Sequence, residues 1–324
     1  MKELIQNFPH QLKESLHIAD SYQWKLDRTI SNIVICGLGG SGIGGEIVTE
    51  WLKPIAKSSI YVCHGYHLPA YVTKNTLVIA CSYSGNTEET LNAVEEAFEK
   101  NALVVGITSG GTLETSLKAK QCLTVKVPGG LPPRAALAYP LVQILGILVH
   151  GGLIDDSILE QIKASVSLLN NEQGAIQVIA KELMQKSLQK QLLFYAEDVF
   201  KPCLLRGCQQ INENSKALAF YNVIPEMNHN EIVGWANEKE DHLVCMLRSN
   251  LEDPRNQKRL DTTKEIISKK SNVYSLLLKG NNLIEQSFYA IHLLDWLSFY
   301  LAEEKNIDVM EVHVIDYLKS TLAN

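Results

Sequence analysis

Three hydroxyl side chains and a glycine stand together where an apolar run meets a helical pattern. In the stretch CSYSGNTEET, residues 81–90, the hydroxyls are those of Ser82, Ser84 and Thr87, and the glycine is Gly85. Helix N-termini carry free N–H groups and partial positive charge, and hydroxyls add donors that rotate to fit phosphate oxygens. Ser and Thr also cap helices, but three hydroxyls exceed what one cap needs. The stretch contains no lysine or arginine, and cleavage of a phosphate would call for a lysine and a metal. It therefore predicts a binding site for a phosphomonoester that is bound and released intact.

A glycine-rich loop precedes this stretch, in CGLGGSGIGGE. Gly37, Gly39 and Gly42 satisfy G-x-G-x-x-G at a strand-to-helix junction, as in dinucleotide-binding proteins. That fingerprint also needs an acidic residue at the end of the next strand for the ribose, but SIYVCHGY supplies none. No lysine follows the glycines, which excludes a P-loop. The segment Gly39-Gly40-Ser41 is therefore predicted to lie beside the hydroxyl stretch, since ligands of open parallel sheets bind outside the carboxyl ends of the strands.

The elements that position these loops follow an alternating strand and helix pattern, and the pattern occurs twice. Apolar runs alternate with amphipathic helices, which is typical of a parallel sheet covered on both faces. The runs are NIVICGLGG, SIYVCHGY, TLVIACSYSG, ALVVGITSGG and CLTVKVP in the first half, and QLLFYAED, AFYNVIPE, HLVCMLRS and NVYSLLLKG in the second. A helical region, residues 151–190, with a weak break at NNEQGAIQ, separates the halves. We expect an α/β protein with two doubly wound parallel-sheet subdomains and flanking helices, residues 1–152 and 153–324.

Composition limits the classes of function. The net charge of −6 and the pI near 5.9 argue against a nucleic-acid partner. No apolar stretch is long enough to predict a membrane span, and the acidic residues of the N-terminal helix do not fit a signal peptide. Seven cysteines without CxxC spacing predict neither a metal site nor disulfides, and the cytoplasm is the expected location.

The motifs resemble those of a known family. The run SYSGNTEET with the upstream GGSGIGG is similar to the sugar isomerase (SIS) domain. The further runs PPRAALAYPL, NENSKA, PEMNHNEIVGW and IDYLKSTL resemble the bifunctional phosphoglucose/phosphomannose isomerase family over nearly the full length. The resemblance implies two SIS subdomains, a homodimer, and interconversion of glucose 6-phosphate or mannose 6-phosphate with fructose 6-phosphate. It implies no metal and no organic cofactor.

The resemblance also implies a role for each matching residue. The residues that would hold the substrate and its phosphate are Gly39, Gly40, Ser41, Ser82, Ser84 and Thr87. Arg134 would lie near C1 and C2, and Glu213 would be the base. His229, supplied by the partner subunit, and Lys319 would open the sugar ring.

Each of the four residues with a proposed chemical role also has an ordinary structural interpretation. Glu213 fits a solvated helix end, His229 a polar turn, and Lys319 a charge that favours the last helical turn. Arg134 fits a first-turn surface residue, although a cation there opposes the helix dipole. Lys216 is one helical turn from Glu213, where an ion pair would lower the pKa of the base. The histidines without a motif are predicted to be structural: His64, His67, His292 and His313.

Two other functions remain as alternatives. A sugar-phosphate sensor would need no Glu, His and Lys set and would usually carry a DNA-binding segment. A glutamine-dependent aminotransferase would need a cysteine after the initiator methionine, where this chain has Lys2.

Overall fold

The structure is a computed structural model that describes residues 1–237 and 241–322. The helices are α1 (Lys2–Gln6), α2 (Phe8–Asp20), α3 (Gly39–Leu52), α4 (Glu88–Glu99), α5 (Gly111–Ala119), α6 (Ala138–His150), α7 (Ser157–Ser187), α8 (Lys201–Ser215), α9 (Pro254–Ser268), α10 (Leu283–Glu304) and α11 (His313–Leu322). The strands are β1 (Asn32–Cys36), β2 (Ser59–Cys63), β3 (Thr76–Cys81), β4 (Leu103–Thr108), β5 (Thr124–Lys126), β6 (Gln191–Glu197), β7 (Ala219–Ile224), β8 (His242–Arg248) and β9 (Asn272–Leu277).

The strands form two parallel sheets, which confirms the predicted fold class. The first sheet has the order β2-β1-β3-β4-β5, and the second has the order β7-β6-β8-β9. All nine apolar runs of the sequence became strands. In each sheet the chain order reverses next to the first strand, between β1 and β3 and between β6 and β8. These two positions are the switch points at which open α/β sheets bind ligands.

The chain packs as two compact units, one formed by Asn7–Asn170 and the other by Met1–Gln6 with the residues from Asn171 onward. This division lies inside the continuous helix α7. The predicted boundary between residues 152 and 153 stays a prediction.

The expected break near residue 174 is wrong, because α7 runs from Ser157 to Ser187 without interruption. Gly174 costs a helix about 1 kcal/mol relative to alanine, but the buried stripe continues on both sides of it through Leu169 and Ile176. Burial of that stripe outweighs the local preference.

Each unit has one strongly buried helix beside its sheet. Along α6, all residues from Ala138 to Leu148 are buried, and most of α10 is buried as well. Helix α2 docks on α6 through polar bonds, in which the Gln143 amide donates to the backbone oxygen of Ser15 at 2.7 Å and Tyr139 donates to Glu14 at 2.6 Å. In the described part of the chain, no helix combines the length and the apolar character that a bilayer crossing requires.

Candidate functional site

The glycine loop connects β1 to α3 at the switch point of the first sheet. Cys36 ends β1 and pairs with Ala80 of β3, so the loops after these two strands begin side by side. Helix α3 begins at Gly39, after the apolar N-cap residue Leu38. An apolar residue has no polar group with which to cap the first N–H groups of α3, so these donors are suited to bind an anion.

Gly40 allows the glycine loop to touch a third segment. A Cβ atom at Gly40 would lie 2.4 Å from the carbonyl oxygen of Pro133, a distance that no side chain tolerates. Pro133 begins the short 3₁₀ helix that contains Arg134. The glycine is therefore required by a close backbone contact that brings the arginine segment against the loop.

The hydroxyl loop after β3 is organised by Ser82, which is 1% exposed. Its Oγ accepts the N–H groups of Gly85 at 3.1 Å and Thr87 at 3.4 Å, and it pairs with the Thr87 hydroxyl at 2.9 Å. Gly85 adopts φ +72°, and a Cβ atom there would lie 1.8 Å from the Gly110 oxygen. Ser82 thus shapes the loop from inside, and its hydroxyl is occupied by the loop's own groups.

The other two hydroxyls lie nearer to solvent. Ser84 is exposed and accepts only the N–H of Asn86 at 3.3 Å among the bonds of the described residues, while Thr87 is half-buried. Thr87 occupies the N-cap of α4, but its hydroxyl pairs with Ser82 instead of capping the helix. The capping interpretation therefore explains neither side chain, and both have capacity to donate to a phosphate.

Tyr83 joins the three segments, a role that the sequence did not reveal. Its N–H donates to Ser41 Oγ at 3.2 Å, which links the hydroxyl loop to the glycine loop. Its phenol donates to the Pro128 carbonyl at 2.8 Å and accepts the N–H of Leu131 at 3.1 Å, just before the arginine segment. Burial raises the pKa of Tyr83, so the phenol stays protonated. A large aromatic inside a loop of small polar residues was the available signal.

Arg134 is 6% exposed, so it is not a surface residue. An arginine is rarely buried unless its charge has partners. Its burial excludes the surface interpretation, and its position against the glycine loop is consistent with the functional one.

Glu213 lies near the end of α8 and is half-buried. The neighbouring face of this helix is fixed to α10 by buried polar contacts. Arg206 pairs with Asp295 at 2.8 Å, Gln210 donates to the same carboxylate at 2.9 Å, and Asn214 donates to Ser298 at 2.9 Å. Burial raises the pKa of Asp295, and the arginine opposes this effect. These bonds fix the rotation of α8 about its axis, and with it the position of Glu213.

Lys216 ties the end of α8 to the segment that leads into α11. Its ammonium donates to the backbone oxygens of Glu213 at 2.8 Å, Asp308 at 3.1 Å and Glu311 at 2.7 Å. Lys319 lies on α11, which begins at His313, and it is exposed. The bonds of Lys216 show a positioning role for it, distinct from the ring-opening role considered for Lys319.

His229 is exposed at the end of a short 3₁₀ helix, whereas the polar residues around it build the local structure. Asn228 donates to Thr263 at 2.8 Å, and Asn230 donates to Glu226 at 2.9 Å and caps the next 3₁₀ turn. Glu231 accepts from Asn222 at 2.6 Å and from the Tyr195 phenol. The asparagines are therefore turn residues, and the histidine is displayed on the turn that they form.

In the second unit, Glu213 and His229 lie on opposite sides of β7 along the chain. Glu213 precedes β7, whose first residue is Ala219, and His229 follows β7, whose last residue is Ile224. A six-residue strand spans about 20 Å at 3.3 Å per residue. One copy of the chain therefore has a strand of this length between the glutamate and the histidine.

Metal-ligating geometry is not found in the described residues, where no group of three or more His, Cys, Asp or Glu side chains could hold an ion. All seven cysteines are free thiols, and only Cys122 is not fully buried. Burial raises the pKa of Cys208 and Cys245 to about 12. These two act as small apolar side chains.

Two family models match the chain. The SIS domain model matches residues 28–129, and the model of the bacterial phospho-glucose isomerase C-terminal SIS domain matches residues 176–322. A bifunctional phosphoglucose/phosphomannose isomerase of Caldicellulosiruptor bescii is 37% identical, covering 100% of this chain and 99% of its own length. A protein of the same description from Thermoplasma acidophilum is 35% identical, with 91% of each chain covered.

Solved structures share the fold at low sequence identity. The C-terminal domain of glucosamine-fructose-6-phosphate aminotransferase from Francisella tularensis has a TM-score of 0.78 at 16% identity, covering 95% of this chain and 97% of that one. At this identity the likeness shows a shared architecture and nothing about activity.

Proposed function

The chain belongs to the bifunctional phosphoglucose/phosphomannose isomerase family, and from that premise we propose how its residues perform the reaction. The protein is an aldose–ketose isomerase that interconverts glucose 6-phosphate or mannose 6-phosphate with fructose 6-phosphate. Glucose and mannose differ only at C2, so one enediol intermediate connects both aldoses with the ketose. The observation that carries the assignment of roles is the buried Arg134 against the glycine loop.

The first step is binding of the phosphate at the carboxyl ends of β1 and β3. Ser84 and Thr87 donate their hydroxyls to it, and the N-termini of α3 and α4 supply N–H groups and partial positive charge. Gly39, Gly40 and Ser41 let the backbone approach the substrate closely. Because these donors are neutral, the phosphate is held and then released unchanged.

Isomerisation then requires three roles. His229 and Lys319 exchange protons with the ring oxygen and the anomeric hydroxyl, which opens the ring. Glu213 removes the proton from C2 of the aldose and returns it to C1, while a proton moves from the C2 hydroxyl to O1, which gives the ketose. The reverse direction gives either aldose, according to the face of C2 that receives the proton. The Arg134 guanidinium stabilises the negative charge of the enediolate.

A homodimer completes each site with His229 of the partner subunit. The proposal is supported by the positions of Glu213 before β7 and His229 after it, because a six-residue strand separates them in one copy of the chain. If each subunit supplies His229 to the other, each site contains Glu213 of one subunit and His229 of its partner. A two-fold symmetric interface produces two such sites. We place the dimer in the cytoplasm, where thiols such as the seven found here stay reduced.

The test is a coupled assay with glucose 6-phosphate and mannose 6-phosphate, each run with and without a chelator. We expect turnover of at least one aldose at an unchanged rate in the chelator. Tight binding of both sugar phosphates without turnover would instead identify a sugar-phosphate sensor.

A further inference from the structure

His64, which follows β2 directly, contacts two oxygen atoms with its two ring nitrogens. Nδ1 lies 2.9 Å from the backbone oxygen of Gly37, and Nε2 lies 2.8 Å from Oε1 of Glu46 on α3. A backbone carbonyl accepts hydrogen bonds and cannot donate one, and an ionised carboxylate is likewise only an acceptor. Both ring nitrogens therefore face acceptors.

This geometry determines the protonation state of the ring. A neutral imidazole carries one N–H and could satisfy only one of the two oxygens, whereas an imidazolium donates to both. Imidazole is a stronger base than a carboxylate, so the shared proton resides on His64. The bond to Glu46 is the main cause that raises the pKa of His64, and the bond to Gly37 adds to it while partial burial opposes it.

Two titratable side chains of the described residues act on the ring. Glu46 faces it from α3, and the Cys63 thiol precedes it on β2. The Cys63 sulfur donates to the backbone oxygens of Gly65 at 3.7 Å and His67 at 3.4 Å, so its thiol is protonated and adds no charge beside the ring.

The histidine ring lies directly against the glycine loop. A Cβ atom at Gly42 would lie 3.0 Å from Cε1 of His64 and 2.5 Å from the Gly37 oxygen. The third glycine of G-x-G-x-x-G therefore makes room for this ring and this carbonyl, which explains the motif without a nucleotide. The loop that the ring touches contains Gly40, packed on Pro133, and Ser41, bound to Tyr83.

We propose that His64 is a positioning residue of the sugar-phosphate site: as an imidazolium bridging Gly37 and Glu46, it holds the glycine loop in the conformation that receives the substrate. The inference adds a residue that the sequence assigned to a structural role only. The KM measurement rests on the proposed function, whereas the NMR titration of His64 does not.

The effect of pH follows from the two bonds. A pKa raised above the ordinary value near 6.5 means that the bridge is complete below that pH and is lost as the pH rises through the folded-state value. The neutral ring keeps its N–H for the carboxylate, because a charge-assisted bond is stronger. Its Nδ1 lone pair then faces the Gly37 oxygen, and the loop is released. We expect KM for fructose 6-phosphate to rise about 3–10-fold as His64 loses its proton, the loss of one ordinary hydrogen bond, while kcat stays nearly constant.

Two variants separate this role from a general structural one. In His64→Gln, KM is expected to be high already at pH 6.5 and to lose its pH dependence over the alkaline range. In Glu46→Gln, the new amide can donate to Nε2 of a neutral ring, so that Nδ1–H keeps the Gly37 bond. KM should then remain low at every pH. His67→Gln is the matched control, since His67 is exposed near the same strand end with Glu96 3.7 Å away, and it should keep the wild-type profile.

Histidine titration by NMR with labelled protein tests the bridge directly, with His64→Gln used to assign the resonance. The expected result is a pKa above 6.5 for His64 that falls in Glu46→Gln, with backbone shifts of residues 37–42 following the same titration. A wild-type pKa at or below 6.5, or a KM profile unchanged in His64→Gln, would overturn the proposal. Absence of all turnover in the wild type would refute the proposed function instead, and the titration would still decide the bridge.

Discussion

The two sheets share one topology, but their switch points are built from opposite chemistry. In the first sheet, the loops after β1 and β3 consist of glycines and small hydroxyl residues. In the second sheet, the corresponding ends of β6 and β8 carry Glu197, which is buried, and Arg248, which pairs with Glu252 at 2.9 Å and Asp261 at 2.6 Å. The first is open to an anion, and the second is filled by the chain's own charges.

The helix starts after β3 and β8 show the same contrast, whereas α8, like α3, starts after an apolar N-cap residue, Phe200. Helix α9 of the second sheet is capped by Asp253, whose carboxylate accepts the N–H of Arg255 at 2.7 Å. Helices α3 and α4 of the first sheet have the N-cap residues Leu38 and Thr87, neither of which caps its helix. A carboxylate at a helix start occupies the place that a phosphate would take. The parallel sheet thus supplies a switch point twice, and the loops of the first carry the glycines and hydroxyls that we propose to bind the phosphate.

The largest loss of activity should come from replacing Glu213 or His229 of the second unit. Glu213→Gln and His229→Ala should each lower kcat by about 10²–10⁴-fold, the usual contribution of general acid–base catalysis. If the partner donates His229, mixed dimers of the two variants hold one intact site. Random exchange should restore about a quarter of the wild-type activity, because half of the dimers are mixed and each has one of two sites. If mass spectrometry shows mixed dimers and no activity returns, the shared site is wrong.

A smaller effect is expected from the exposed hydroxyls of the first unit. The double variant Ser84→Ala with Thr87→Ala should raise KM strongly with little change in kcat, since each hydrogen bond to the charged phosphate contributes about 1.5–3 kcal/mol. Thr115→Ala is the matched control, because this exposed threonine on α5 bonds only to the Gly111 oxygen among the described groups. An unchanged KM in the folded double variant would reduce the loop to a helix start.

Replacement of the inner hydroxyl should affect stability first. Ser82→Ala removes the acceptor of the Thr87 N–H, while the Gly85 N–H keeps its bond to the Ser82 backbone oxygen. An unsatisfied buried group costs about 1–3 kcal/mol. We expect a free energy of unfolding lower by that amount in urea, with KM raised as well. Ser84→Ala should leave the unfolding curve near the wild type. Equal unfolding curves for the two variants would remove the distinction between an inner and an outer hydroxyl.

The sequence predicted the fold well because its signals are local and consistent. Every apolar run became a strand, and the position of the glycine and hydroxyl stretches after two runs predicted that they would meet. The break near Gly174 failed because burial of the α7 stripe outweighs one glycine. The sequence marks Tyr83 as unusual in its loop, but the partners of Tyr83 and Lys216 could not be predicted, since their bonds reach Pro128 and Asp308 and such contacts exist only in the folded chain.

The most direct test of the account follows hydrogen at C2 of the sugar and compares it with substrate binding. The central claim is that Glu213 moves the proton between C1 and C2 and is not needed to bind the sugar phosphate. In deuterated water, the wild type should place deuterium at C2 of the aldose, because an enediol lets the base exchange its proton with solvent. Glu213→Gln should bind fructose 6-phosphate with nearly the wild-type Kd by calorimetry and incorporate no label. Wild-type turnover without deuterium, together with full activity of Glu213→Gln, would contradict the claim.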